Sequence, residues 1–89
     1  MKQIQLNFFS DPGHGWLEVS KTLLEELDIK QKISHFSYMG RYNDMVYLEE
    51  DCDAGIFMDA AKAAGIEVSF NEIYQENTPI RHYNAYCGF

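Results

Sequence analysis

Basic residues are scarce in this sequence. Seven lysines and arginines stand against fourteen aspartates and glutamates in 89 residues, a formal charge of −7. Such a surface repels a phosphate backbone and forgoes the counterion release that drives ordinary nucleic-acid binding, so direct binding to DNA or RNA is not expected. Cysteine is nearly absent: Cys52 and Cys87 stand alone, without the paired spacing of a ligand motif. His14, His35 and His82 are far apart, and none has a second ligand at a zinc spacing. Neither a metal nor another cofactor is therefore expected. No apolar run approaches the length that crosses a bilayer, and no charged-then-apolar leader opens the chain. The expectation is a soluble cytosolic protein with reduced thiols and no membrane contact.

What the chain does have is apolar material, 46% hydrophobic residues of which many are aromatic. That suffices for one core without a disulfide framework, and 89 residues are too few for two cores. A single domain over residues 1–89 follows, with no repeat, linker or low-complexity tract.

Ile4, Leu6 and Phe8 alternate with Gln3, Gln5 and Asn7, the period of a half-buried strand over 3–9. Asp11, Pro12, Gly13 and Gly15 are turn formers, so a hairpin returns through a short strand over 16–19. Ser20 is a good N-cap, with Leu23, Leu24 and Leu27 at helical spacing behind it, and the helix should end near Asp28. Residues 33–38 and 44–48 are β-branched and aromatic and suit a second hairpin, with an exposed loop over 39–43. A second helix should begin around residues 51–53, stop at Gly65 and bury Ile56, Phe57, Ala60, Ala61 and Ala64. A strand with Ile66, Val68 and Phe70 on one side follows, then an irregular tail with a short edge strand over 80–83. This order predicts an α+β fold, a mainly antiparallel sheet built from hairpins with two helices packed on one face.

Three segments could carry function. In the loop 11–16, glycines on both sides of His14 bare the backbone and Trp16 offers a stacking face for a ligand. Turn chemistry alone accounts for every residue type there except His14. In the segment 49–53, Glu49, Glu50, Asp51 and Asp53 could face a basic partner or, without any ligand, serve the dipole of the following helix. Glu25, Glu26 and Asp28 add to the acidic surface. Arg81, His82, Tyr83 and Tyr86 combine a cation, an imidazole and rings, which suits an anionic ligand or simply covers a core edge.

The motifs in 11–17 (Asp-Pro-Gly-His-Gly-Trp-Leu), 36–38 (Phe-Ser-Tyr) and 47–53 (Tyr-Leu-Glu-Glu-Asp-Cys-Asp) resemble a family of small uncharacterised proteins common in bacteriophage, prophage and plasmid genomes. The likeness runs from about residue 6 to the Ile-Arg-His-Tyr segment at 80–83. No catalytic or binding residues accompany the family. The resemblance implies a small accessory protein, acting in the host bacterial cytosol, that binds and disables a host component or an anti-phage defence protein.

Three classes of function are therefore carried forward. The leading one is a non-enzymatic binder whose acidic surface, Glu25, Glu26, Asp28, Glu49, Glu50, Asp51 and Asp53, meets a basic host or defence protein; mimicry of nucleic acid is its sharper version. The second is a small-ligand protein, such as a sponge for a nucleotide signal, gripping phosphate and base with His14, Trp16, Arg41, Arg81 and His82. The third is a small hydrolase with His14 or His82 as general acid or base and a carboxylate to orient it. No catalytic pair stands out, and neither cysteine has the electropositive neighbours a nucleophile needs.

Overall fold

The computed structural model describes residues 2–41 and 43–89. Among these described residues, six strands and two α-helices follow in the order β1 (Lys2–Ser10), β2 (Gly15–Ser20), α1 (Lys21–Glu26), β3 (Tyr38–Met39), β4 (Met45–Glu49), α2 (Ala54–Ala63), β5 (Ile66–Tyr74) and β6 (Asn84–Ala85). Short 3-10 turns occupy Lys30–Lys32 and Pro79–His82. The strands form one sheet in the order β5-β1-β2-β4-β3-β6. Its pairings are antiparallel except for β1 with β5, which run parallel from Lys2 opposite Ile66 to Ser10 opposite Tyr74. The α+β class and the predominantly antiparallel sheet are thus as the sequence predicts. The parallel pair arises because α2 carries the chain back across the sheet before β5 begins.

Local chemistry sets the first three elements. The β1–β2 hairpin is closed by the Asp11 N–H, which donates to the His14 carbonyl at 2.9 Å. Ser20 then caps α1 by accepting from the Leu23 N–H at 3.1 Å. The helix ends beside Asp28, as expected, because Asp28 turns left-handed (φ 56°) and the Ile29 N–H closes back on the Leu24 carbonyl. At the far end of α2, Gly65 takes φ 75°, a conformation glycine adopts without steric cost.

Two segments depart from the sequence reading. The strand expected over 33–38 survives only as β3, and the residues before it are bent. Asp53 causes the bend: its carboxylate accepts from the Ser34 N–H and from the hydroxyls of Ser34 and Ser37. The edge strand expected over 80–83 is instead the 3-10 turn Pro79–His82. Thr78 caps that turn by accepting from the Ile80 N–H, Pro79 fixes its first φ, and strand pairing resumes only at β6. Tyr42, in the loop expected to be exposed, lies outside the described residues.

Strand alternation divides the core. Leu17, Val19, Val46 and Leu48 form one buried cluster with Leu24 of α1, Phe57 and Ala61 of α2, and Tyr86. Ile56 and Ala60 are only half-buried and Ala64 is exposed, so the buried stripe of α2 is narrower than its sequence implies. At the alternate strand positions, Trp16 and Tyr47 form a second cluster with Ile80, flanked by Phe9, Tyr38 and Tyr83. Among the described residues no helix is long and apolar enough to cross a membrane.

Candidate functional site

The second cluster lies under a cleft of about 270 Å³. Sheet register builds it. Trp16 on β2 stands opposite Glu49 at the end of β4, and Tyr38 on β3 stands opposite Tyr47, so Trp16, Glu49 and Tyr38 share one face. The Trp16 and Tyr38 rings meet edge to face at 6.3 Å. Phe36, in the bend before β3, adds a third ring and is 59% exposed. Asp51 and Cys52, in the turn that leads into α2, complete the acidic wall.

The turn after β1 supplies the opposite wall. Asp11 folds its carboxylate over its own turn, accepting from the Gly13 N–H at 2.9 Å and the His14 N–H at 2.8 Å. Gly15 is needed here because a Cβ would lie 2.5 Å from the Phe8 ring. The same carboxylate accepts from Nε and Nη2 of Arg81, tying the turn to Pro79–His82 across seventy residues. The Arg81 hydrogen bonds, helped by the two backbone donors, hold Asp11 well below the usual carboxylate range, and Asp11 in turn raises the Arg81 guanidinium. Arg81 also lies 5.5 Å over the Trp16 ring.

His14 and Arg81, which the sequence could not bring together, therefore share one cleft with Trp16. The His14 ring is 5.9 Å from that of Trp16, and its Nδ1 lies 3.9 Å from Glu49 Oε1, within ion-pair range but too far for a hydrogen bond. Trp16 is buried, and its indole Nε1 is the one buried side-chain polar atom among the described residues without a hydrogen-bond partner. A buried donor left unpaired in this way is uncommon.

Arg41 and His82 do not join this set. Arg41 donates to the His82 carbonyl at 2.7 Å and lies 5.8 Å over the Tyr83 ring, apart from the residues lining the cleft. The phosphate-gripping group expected from residue types is thus split in two.

The acidic surface also needs correction. Asp53 is 1% exposed and spends its carboxylate on Ser34 and Ser37, so it cannot meet a partner; it occupies the N-cap position of α2 without capping it. Glu49 is also buried, at 8% exposure, because strand alternation turns it toward Trp16. There it accepts from the Asp51 N–H at 3.0 Å. Glu25, Glu26, Asp28, Glu50 and Asp51 are exposed as expected, and Glu25 pairs with Lys30 at 3.3 Å.

Cys52 is exposed and free. Its thiol is pushed up by a hydrogen bond to Glu49, then by burial and the negative charges of Glu49, Asp53 and Asp51. This is the reverse of what activates a cysteine nucleophile. Among the described residues no three His, Cys, Asp or Glu side chains converge as a metal site requires. Phe36, Tyr38 and Asp11 were not marked as site residues by the sequence; Asp11 was readable as a turn former, but its partner Arg81, itself marked, is remote in the chain. No family model, curated protein or solved structure matches the chain.

Proposed function

We propose that the chain is a non-enzymatic binding protein that engages a basic partner protein, with the cleft receiving an arginine or lysine side chain of that partner. One observation carries this reading: the Phe36 and Tyr38 rings and the Asp51 carboxylate stand around a single cleft floored by the buried Trp16 and Glu49, and its own cation, Arg81, is already paired with Asp11. An aromatic wall beside carboxylates suits a guanidinium or ammonium group, through ring-face attraction and charge-assisted hydrogen bonds. The overall charge of −7 steers such a partner from a distance, and the exposed Glu25, Glu26, Asp28 and Glu50 contribute to that field. A host or anti-phage defence component, inhibited in the bacterial cytosol, is the partner class that the sequence resemblance implies.

Trp16 is the only tryptophan and makes the cleft self-reporting. An arginine-rich peptide is expected to change Trp16 emission at low salt, to lose affinity as salt rises, and to bind weakly to the double variant Glu49→Gln, Asp51→Asn. Nucleotides test the competing small-ligand reading, which the meeting of His14, Trp16 and Arg81 favours. Saturating mono-, di- or cyclic nucleotide would raise the melting temperature if they bind. A nucleotide shift, or Trp16 emission indifferent to the basic peptide, overturns the proposal.

A further inference from the structure

The two edges of the sheet are unequal. β6 is two residues long, whereas β5 runs for nine and, among the described residues, pairs only with β1. Backbone direction along β5 follows from its ends. The Gln75 N–H donates to the Ser10 carbonyl and the Gly65 carbonyl accepts from the Lys2 N–H, so the odd-numbered residues point their backbone groups at β1. Alternation then turns the N–H and C=O of Val68, Phe70 and Glu72 toward the open edge. The strand contains no proline and no lysine, and its only charged residues are Glu67 and Glu72. Phe70 is 45% exposed and Tyr74 63% exposed. Phe70 also borders an apolar groove of about 240 Å³, floored by Phe8 and Leu17 and walled by Met58 of α2.

We infer that two copies of the chain join edge to edge through β5, antiparallel and centred on Phe70, to form one twelve-stranded sheet. The register argues for a second copy over an unrelated peptide, because the strand can pair with itself along its whole length without setting like charges opposite each other. A two-fold axis at Phe70 is the only centre that opposes all nine residues. It sets Phe70 against Phe70, Val68 against Glu72 and Ile66 against Tyr74 of the second copy. Every outward N–H then faces an outward carbonyl. Glu67 falls opposite Ile73 and Ser69 opposite Asn71, so no acid opposes an acid. The two Glu72 carboxylates sit about 13 Å apart along the seam, beyond the screening length of about 8 Å at physiological salt. Glu67 and Glu72 of both copies still put four carboxylates on the seam without a cation, so the dimer is expected to tighten as salt rises. Because the axis stands perpendicular to the sheet, the apolar grooves of both copies open on the same side, with the paired Phe70 rings between them.

Sedimentation equilibrium of the full chain tests this directly, and the expected mass is twice the 10.3 kDa of one chain. Phe70→Lys sets two ammonium groups against each other at the axis and is expected to yield a monomer. Glu72→Pro removes an N–H that β1 does not use, so circular dichroism should be unchanged while the dimer is lost. Amide hydrogen exchange supplies a readout that needs no variant. In a dimer the amides of Val68, Phe70 and Glu72 exchange as slowly as those of Ser69 and Asn71, whereas a monomer shows protection at alternate residues only. A monomeric mass at all concentrations, alternating protection along β5, or a dimer untouched by both variants overturns the inference.

Discussion

The two faces of the sheet are built from neighbouring residues of the same strands, yet they do different work. On one face Leu17, Val19, Val46 and Leu48 meet Leu24, Phe57 and Ala61, and most of what they touch is hydrocarbon. On the other, nearly every ring has a polar handle or a charged neighbour: Trp16 under Arg81, and Tyr47 donating to Glu18 at 2.9 Å and accepting from Asn43 at 3.3 Å. A dry face contributes stability in proportion to the area it hides. A face of amphipathic rings contributes less and leaves groups that can recognise something. The contrast teaches that a one-residue shift in the pattern of a strand separates the part that holds the fold from the part available to a partner.

The contrast can be broken most severely from the dry side. Phe57 is fully buried, so Phe57→Ala should cost about 3–5 kcal/mol in urea denaturation. For a domain of this size that is a large fraction of the total. A cost below about 1 kcal/mol, the range of an ordinary surface change, would mean that this face does not carry the stability.

Ser37 joins the faces. Its hydroxyl donates to Asp53 and accepts from the Glu49 N–H at 2.9 Å, so Ser37→Ala leaves a buried N–H and a buried carboxylate short of partners. The expected loss is about 1–3 kcal/mol, read from the same denaturation curves.

On the aromatic face, Tyr47→Phe should cost about 1 kcal/mol through its two hydrogen bonds while leaving the ring contacts in place. Burial pushes that phenol up to about 12, with a contribution from the Glu18 carboxylate, so it should be among the last tyrosines to ionise in an ultraviolet titration. The Tyr47→Phe spectrum should lack that step.

Asp11 sharpens the comparison through pH. Its folded-state pKa is depressed, chiefly by Arg81, relative to an unfolded value of about 4. The pair's contribution is therefore complete above about pH 4 and is lost as the pH falls toward the folded value. Melting temperatures of the native chain should drop more steeply on acidification than those of Asp11→Asn. Parallel acid limbs would show that the clasp does not form. The smallest effect on stability belongs to His14→Ala, at most about 0.5 kcal/mol for an exposed side chain. That variant should nonetheless alter the response of Trp16 to an arginine-rich peptide.

The sequence was most legible where short-range chemistry decides. Alternation in β1, the Asp11 turn, the Ser20 cap and the Gly65 stop are each settled within a few residues, and the structure places them as expected. Residues 33–37 were misread because their β-branched and aromatic character was overridden by Asp53, which lies far along the chain. The parallel pairing of β5 with β1 was invisible for the same reason: a strand's pattern tells which face is buried but not which neighbour it takes. The turn Pro79–His82 is different, since a threonine cap before a proline is a local signal that could have been read. At the site, the residue types in His14, Trp16 and Arg81 were readable and their meeting was not. Arg41 and His82 were selected by type alone and fell outside. Within the acidic run, alternation along β4 explains why Glu49 turns inward, whereas the burial of Asp53 depends on Ser34 and Ser37.

The clasp between Asp11 and Arg81 also sets an order of events during biosynthesis. β1 and β2 leave the ribosome early and can pair at once, but Trp16 cannot acquire its cover, nor the Asp11 carboxylate its guanidinium, until residue 81 has been translated. The same late segment brings β6 to the sheet edge and Tyr86 to the core, so cleft and scaffold are completed together.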